Sequence, residues 1–452
     1  MYRQYKKPIM KASPDIKICE PRVSKLVIFL CKLFGRLYLF LFLGVAKTVL
    51  QGEKYLIEAF QRALAGKSRC IIAFRHPNGG EPQILGWFFL FKLRKLAAKH
   101  GVRFARWPHA AFVYGFEVVR WGGWVSRFLM PNAGAMPIHH AKMDTKGMAR
   151  INKAIDEGPY PLAIAPEGQV SFFADTIIKL DPGVIRIGFS AAERLAQKKP
   201  DCPVEILPLS VHFRFGSWGK FTLELLLRKI EKACGISHRG RQKPSYVERV
   251  ERCRTHLLEV NETRYSIKKD NSVPFEERLT LVLNTALETA ERMMSVKSEG
   301  EFFPRMHKLR QLCWDRIFLP GVDELDSKTN VERNVLDLQS GEAWFACRHI
   351  EVADFCWFFR VPLPTEETPF HEKIEYAQNL WDFTSRTMGG AFRDRISIFP
   401  RKVIIQAAPV INLTERLPSY KTDRKAAITT ALADLKQTFI DCIIKANSIN
   451  QK

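Results

Sequence analysis

Cys70-Ile71-Ile72-Ala73-Phe74-Arg75-His76-Pro77-Asn78-Gly79-Gly80-Glu81 is an apolar run that stops abruptly in turn-forming residues. A short apolar run bounded by charge and by Pro, Asn and Gly has the signature of a buried strand leading into a loop. Further runs of the same texture follow at Ala111 to Val119, Leu162 to Ala165 and Val204 to Val211. Helical stretches lie between them. One is Asp144 to Glu157, with Asp144 suited to cap its start and Gly158 to stop it; another is Gly183 to Gln197. Strands alternating with helices predict an α/β domain over residues 55–220 with a mixed, largely parallel sheet flanked by helices.

Working outward, residues 1–54 form a basic lead-in and then a greasy segment, Val23 to Leu50. Four cations interrupt that segment, Lys25, Lys32, Arg36 and Lys47. On a helix at ~100° per residue they share one sector about 60° wide. One polar stripe on an otherwise apolar helix suits an interfacial, membrane-associating position in which the cations snorkel to phosphates. A core helix is the alternative, and a single tilted span is least favoured, because a span needs about 20 largely apolar residues. Residues 221–452 read as a mainly helical accessory region. Leu279, Val282, Leu283, Ala286, Leu287, Ala290 and Met294 keep helical spacing, as do Ile428, Leu432, Leu435, Phe439 and Ile443.

The charge is lopsided. The chain carries a formal +23, of which +18 falls in residues 1–219 and +5 in 220–452. A basic, aromatic-rich first half implies an anionic partner, and the apolar N-terminal segment favours phospholipid over nucleic acid, for which no motif is present. Ten cysteines are scattered without a C-x-x-C pair or zinc spacing, which suits a reducing compartment and predicts no metal. The N-terminus lacks a short apolar core with a cleavage site, so no secretory signal is expected.

Catalytic groups of α/β sheets collect on loops beyond the carboxyl ends of strands. His76 is on such a loop, and Pro77-Asn78-Gly79-Gly80 is turn chemistry able to return Glu81 to the imidazole. A carboxylate on one ring nitrogen fixes the tautomer and leaves the other nitrogen to take a proton from a hydroxyl. A second loop, Pro166-Glu167-Gly168-Gln169, follows the Leu162 run. A glutamate at the end of a buried strand is costly unless it is paired or binds something. No Gly-x-Ser-x-Gly elbow is present, so direct attack by an activated alcohol is the economical scheme.

These blocks resemble the glycerophospholipid (lysophospholipid) acyltransferase family over residues 55–220. That family carries His-x4-Asp after one strand, a Gly-containing segment leading to an Arg, a Pro-Glu-Gly loop, and a later strand near a proline. His76 to Glu81 matches the first block, Gly134 to His140 stands in the second, Pro166-Glu167-Gly168 is the third and Val204 to Leu209 the fourth. The resemblance implies an O-acyltransferase on the cytoplasmic membrane face. It would move a fatty acyl group from acyl-CoA or an acyl-carrier protein to a lysophospholipid or glycerol-phosphate hydroxyl, with no further cofactor. It makes His76 the base and Glu81 its guide. It places Glu167 and Gly168 at the acceptor, with His139 or His140 in the position of the phosphate grip; Arg75, Lys142, Lys146, Arg150 and Arg186 are other cations of this sequence able to take over that grip. Three positions depart from the family pattern: Glu81 replaces Asp, His139 or His140 stands where Arg is common, and Gln169 stands where Thr often follows. Those departures motivate the alternative of a non-catalytic, basic membrane-binding protein that keeps the fold.

The aromatic stretch Ile84 to Phe91, running into Lys92, Arg94 and Lys95, is equally compatible with a core helix and with a membrane-facing wall that Trp121, Trp124 and Phe128 extend.

Overall fold

The computed structural model describes residues 9–139, 144–236, 244–390 and 395–448. The strand residues assemble into a twisted eight-stranded sheet. In chain order its strands are β1 (Val45–Gln51), β2 (Arg69–Phe74), β3 (Ala111–Gly115), β4 (Met136–Ile138), β5 (Leu162–Ile164), β6 (Val204–Phe215), β7 (Arg401–Ala407) and β8 (Ile411–Asn412). Across the sheet the order is β1-β7-β6-β2-β5-β3-β4, with β8 also on β6. Strands β6, β2, β5, β3 and β4 are mutually parallel. β7 lies antiparallel to β6, and β1 lies parallel to β7, so the sheet is mixed.

Both faces are covered, which is why the central strands read as near-continuous apolar runs. Side chains alternate across the pleat. Ile72, Phe74, Leu207, Leu209, Val211 and Phe213 pack on one face with Leu56, Ile57 and Phe60 of the helix Glu53–Leu64. Ile71, Ala73 and Ile206 pack on the other with Ile185 and Phe189 of Gly183–Lys198 and with Leu435 and Phe439 of Arg424–Ser448. A third apolar cluster fills the space among the helices Ser217–Cys234, Tyr246–Arg264, Phe275–Met293, Phe302–Ile317, Asn330–Phe358 and Phe370–Thr387. Capping is local and as expected at one helix: Asp144 accepts from the Gly147 N–H at 2.8 Å to start Thr145–Asp156.

Three expectations need correction. The greasy segment is not one helix to Leu50. It is the helix Lys25–Leu41, followed by Gly44 at φ +65 and then strand β1. Lys47 therefore lies on a strand, outside the cationic stripe, and Arg36 folds back to donate to the carbonyls of Val45 (2.8 Å) and Ala46 (2.5 Å). The run Ala111 to Val119 is a strand only to Gly115 and then turns into the helix Glu117–Trp121. Finally, the sheet does not respect a division at residues 54 and 220. Residues 204–209 of β6 pair with β2; residues 210–215 extend beyond it, and β7 pairs with residues 209–215 from the far end of the chain. An unpaired buried strand edge would leave N–H and C=O groups without partners, which is the reason the late segment returns.

Because Arg424–Ser448 is part of this core, Phe439→Ala, at a side chain with 0% exposure, lowers stability by about 3–5 kcal/mol. Urea unfolding measures it, and an unchanged midpoint would separate that helix from the sheet.

Candidate active site

Because β2 and β5 are adjacent and parallel, the loops that follow them leave the same edge of the sheet side by side. The first carries His76. Its Nδ1 lies 2.7 Å from Glu81 Oε2. Glu81 is the first residue of the helix Glu81–Phe88, and its carboxylate bends back over the turn to accept the N–H groups of Asn78 and Gly79, each at 2.9 Å. An acid in the first helical turn also suits the helix dipole. The turn requires glycine twice. Gly79 holds φ +93, and a Cβ at Gly80 would press on Leu43 at 3.1 Å. With the carboxylate accepting at Nδ1, the Nε2 lone pair is left for a partner outside the protein. The Glu81 side chain is 0% exposed and that of His76 18%, so the imidazole is reachable while its guide is not.

The second loop closes against the first. Glu167 Oε1 accepts from Arg75 Nε at 2.6 Å, and Oε2 accepts the backbone N–H of His76. The Ser171 N–H donates to the His76 carbonyl at 3.0 Å. The remaining Arg75 donors reach the carbonyls of Ala174 (3.2 Å), Phe173 (3.1 Å) and Thr176 (2.8 Å). Arg75 and Glu167, expected at the substrate, thus face each other in the interior and shape the loop that carries the histidine. Gly168 holds φ +73 with open space where a Cβ would be, so its demand is conformational.

The other expected residues lie apart. His139 follows the edge strand β4, three strands from β2, and stacks on Phe116 at 4.3 Å with Nδ1 3.3 Å from Gln311. Arg186 is exposed near the start of Gly183–Lys198. Lys146 is exposed, and Arg150 is paired with Glu20 at 2.5 Å. His140 and Lys142 lie outside the described residues.

One site residue escaped the sequence. Arg401, at the start of β7, donates from Nη1 to Asn78 Oδ1 at 3.0 Å and from Nε to the Leu43 carbonyl at 2.5 Å, over the face of Phe213 at 4.4 Å. Because β7 runs antiparallel to β6, its beginning lies at the edge where the parallel strands end. Val403-Ile404-Ile405, bounded by Pro400 and Pro409, was the available strand signal. Burial pushes the Arg401 guanidinium down to about 10, with Glu81 pulling the other way.

Behind the second loop is a buried ionic cluster. Asp175 accepts from His212 (2.6 Å), His371 (2.7 Å) and Arg214 (3.0 Å). Burial alone would raise the Asp175 carboxyl, but the two histidine hydrogen bonds and the Arg214 charge hold it well below the usual range. Asp175, His371 and Glu372 are the one set among the described residues with metal-ligand spacing, and Arg214 already supplies positive charge to the same Asp175 oxygen. Beside Glu167, a shallow recess is lined by Gln169, Ser171, Lys179, Phe303 and Phe358, the Lys179 ammonium lying 4.2 Å over the Phe303 ring.

Comparison of the sequence with known protein families and with characterised proteins gives no match.

Burial pushes the Glu375 carboxyl, which accepts the Ala174 N–H at 3.1 Å, up to about 8, and the Asp175 charge adds to that shift. A raised carboxyl contributes stability that is fully present below its unfolded value of 4.5 and is lost as the pH rises through about 8. Glu375→Gln removes that pH-dependent contribution. Between about pH 5 and 9 the wild type therefore loses stability relative to the variant, read as diverging urea midpoints; parallel curves would contradict the assignment.

Proposed function

We propose that the protein is a membrane-surface O-acyltransferase that moves a fatty acyl group from an acyl thioester, acyl-CoA or an acyl-carrier protein, to a hydroxyl of a lysophospholipid or glycerol phosphate. The observation that carries it is His76, held at Nδ1 by an enclosed carboxylate while its side chain keeps 18% of its surface exposed. In this reading the acceptor hydroxyl gives its proton to His76 Nε2 as its oxygen attacks the thioester carbonyl. The tetrahedral intermediate collapses, the C–S bond breaks, and the imidazolium returns the proton to the departing thiolate. Glu81 keeps the imidazole in one tautomer and stabilises the transient cation. The order of the sequence blocks supports the acyltransferase-type fold as the setting for that chemistry.

The membrane part of the proposal rests on the helix Lys25–Leu41. Only Val27 and Leu39 are buried, while Leu26, Phe29, Leu33, Phe34, Leu37 and Leu41 are exposed. Its 17 residues make a rod about 25 Å long, shorter than a hydrocarbon core of ~30 Å, and no helix among the described residues is long and apolar enough to cross a membrane. A helix lying in the headgroup region, with Lys25 and Lys32 exposed beside the apolar surface, satisfies both facts. Trp124 and Phe128 are also exposed, on the helix Gly123–Asn132, whose end meets the start of Lys25–Leu41 through the bridge between Val23 and Ala133. The exit of the helix at Leu43 touches the active turn at Gly80, so a membrane-lying helix would bring His76 to the lipid surface. The capture of Arg75 by Glu167 favours, as a second reading, a basic membrane-binding protein without turnover.

An acceptor screen with radiolabelled acyl-CoA on anionic vesicles decides between them. His76→Ala lowers transfer by about 10²-fold or more, whereas undiminished transfer would remove the histidine from the chemistry. Replacing Leu33 and Leu37 together with Glu weakens co-sedimentation with anionic vesicles; unchanged binding would move the membrane contact elsewhere.

A further inference from the structure

Arg401 is an arginine with 1% exposure, and among the described residues no carboxylate lies within ion-pair distance of it. A buried guanidinium with no carboxylate in direct contact is expensive to keep, so its retention asks for a reason. Its contacts supply one. Nη1 holds the Asn78 side chain, Nε holds the Leu43 carbonyl, and the backbone N–H holds the Gly44 carbonyl at 2.8 Å. Nη2 has no hydrogen-bond partner. Asn78 is the residue whose own N–H, with that of Gly79, pins Glu81 beneath the imidazole. A continuous path therefore runs from Arg401 through Asn78 and Glu81 to His76.

We propose that Arg401 is the positioning residue of the His76–Glu81 pair, setting the 77–80 turn through Asn78 so that the Glu81 carboxylate is held in place at Nδ1. The inference rests on the reading of that pair as a working base and guide. It makes strand β7 a part of the site, although 325 residues separate Arg401 from His76 in the chain. It also joins the exit of the exposed N-terminal helix, at Leu43, to the same guanidinium. A clamp that merely fastened β7 to β1 would affect stability and leave the imidazole unchanged.

The test compares wild type with Arg401→Lys, Arg401→Met and Asn78→Ala. Long-range ¹H–¹⁵N spectra of the histidine imidazoles are recorded at a pH where the ring is neutral, and the His76 signals are identified by their loss in His76→Asn. The wild type is expected as one tautomer with the proton on Nδ1. Arg401→Met and Asn78→Ala are expected to show a mixture of tautomers, and Arg401→Lys to keep most of the wild-type signature. A folded Arg401→Met with the wild-type signature would overturn the proposal. Should that variant fail to fold, Asn78→Ala decides in the same way. In the acyl-transfer assay Arg401→Met and Asn78→Ala each lower kcat by about ten- to a hundredfold with little change in KM, and Arg401→Lys keeps most of the activity. The Asn78/Arg401 double variant is no worse than either single, because both break one path, while additive losses would count against it. If no acyl transfer is found in any form, the proposed reaction fails, and the imidazole spectra still decide the role of Arg401.

Discussion

The ion pair between Arg75 and Glu167 is the interaction on which the site depends. It joins the loops after two adjacent parallel strands, and one carboxylate both neutralises the guanidinium and fixes the backbone N–H of His76. Both side chains are essentially unexposed, at 0% and 2%. Removing either partner of such a pair leaves an uncompensated buried charge and costs about 3–5 kcal/mol. The pair is stable here because its remaining donors are satisfied by the carbonyls of residues 173, 174 and 176, so the second loop is wrapped around the arginine. Histidine, guide and loop are consequences of that wrapping.

The sheet sets the rest. Parallel strands deliver their loops to one edge, and an antiparallel strand delivers its beginning to that edge. His76, Glu167 and Arg401 meet for that reason, from three distant parts of the chain. The same edge receives the exit of the N-terminal helix, since β1 runs parallel to β7 and Arg401 donates its backbone N–H to Gly44. An exposed apolar helix and a partly exposed imidazole are thus neighbours through backbone hydrogen bonding, not through proximity in sequence. Behind them, Asp175 ties β6 to the helix Phe370–Thr387 through His212 and His371, so the helical layer is anchored to the loop wrapped around Arg75.

Local pattern sufficed where one element could be read without its neighbours. The strands β2, β5 and the first half of β6 are apolar runs bounded by turn residues. The helix Thr145–Asp156 carries its Asp144 cap in the sequence, and the six apolar positions from Leu279 to Ala290 are all buried on Phe275–Met293, with Met294 buried just past its end. The contact of His76 with Glu81 was readable because the intervening Pro-Asn-Gly-Gly leaves the chain few other ways to turn. It failed where a long-range partner decided the outcome. Val45 to Gln51 continues an apolar helix in composition, yet pairing with β7 draws it into the sheet after the left-handed bend at Gly44. Arg75 and Glu167 looked like substrate ligands because only their placement at strand ends was visible; that they neutralise each other depends on β2 and β5 being adjacent.

What the sequence by itself determined is the alternation of strand and helix, the turn that makes a histidine–carboxylate pair, and a greasy, basic N-terminal segment. Each rests on periodicity or on backbone preference over a few residues. Tertiary structure alone decided which charges pair, that strand β7 closes the sheet, and that Arg401 reaches the turn of the pair. Those outcomes depend on strand order, and strand order is set by the burial of both sheet faces and the pairing of every strand edge, quantities no short stretch of chain contains.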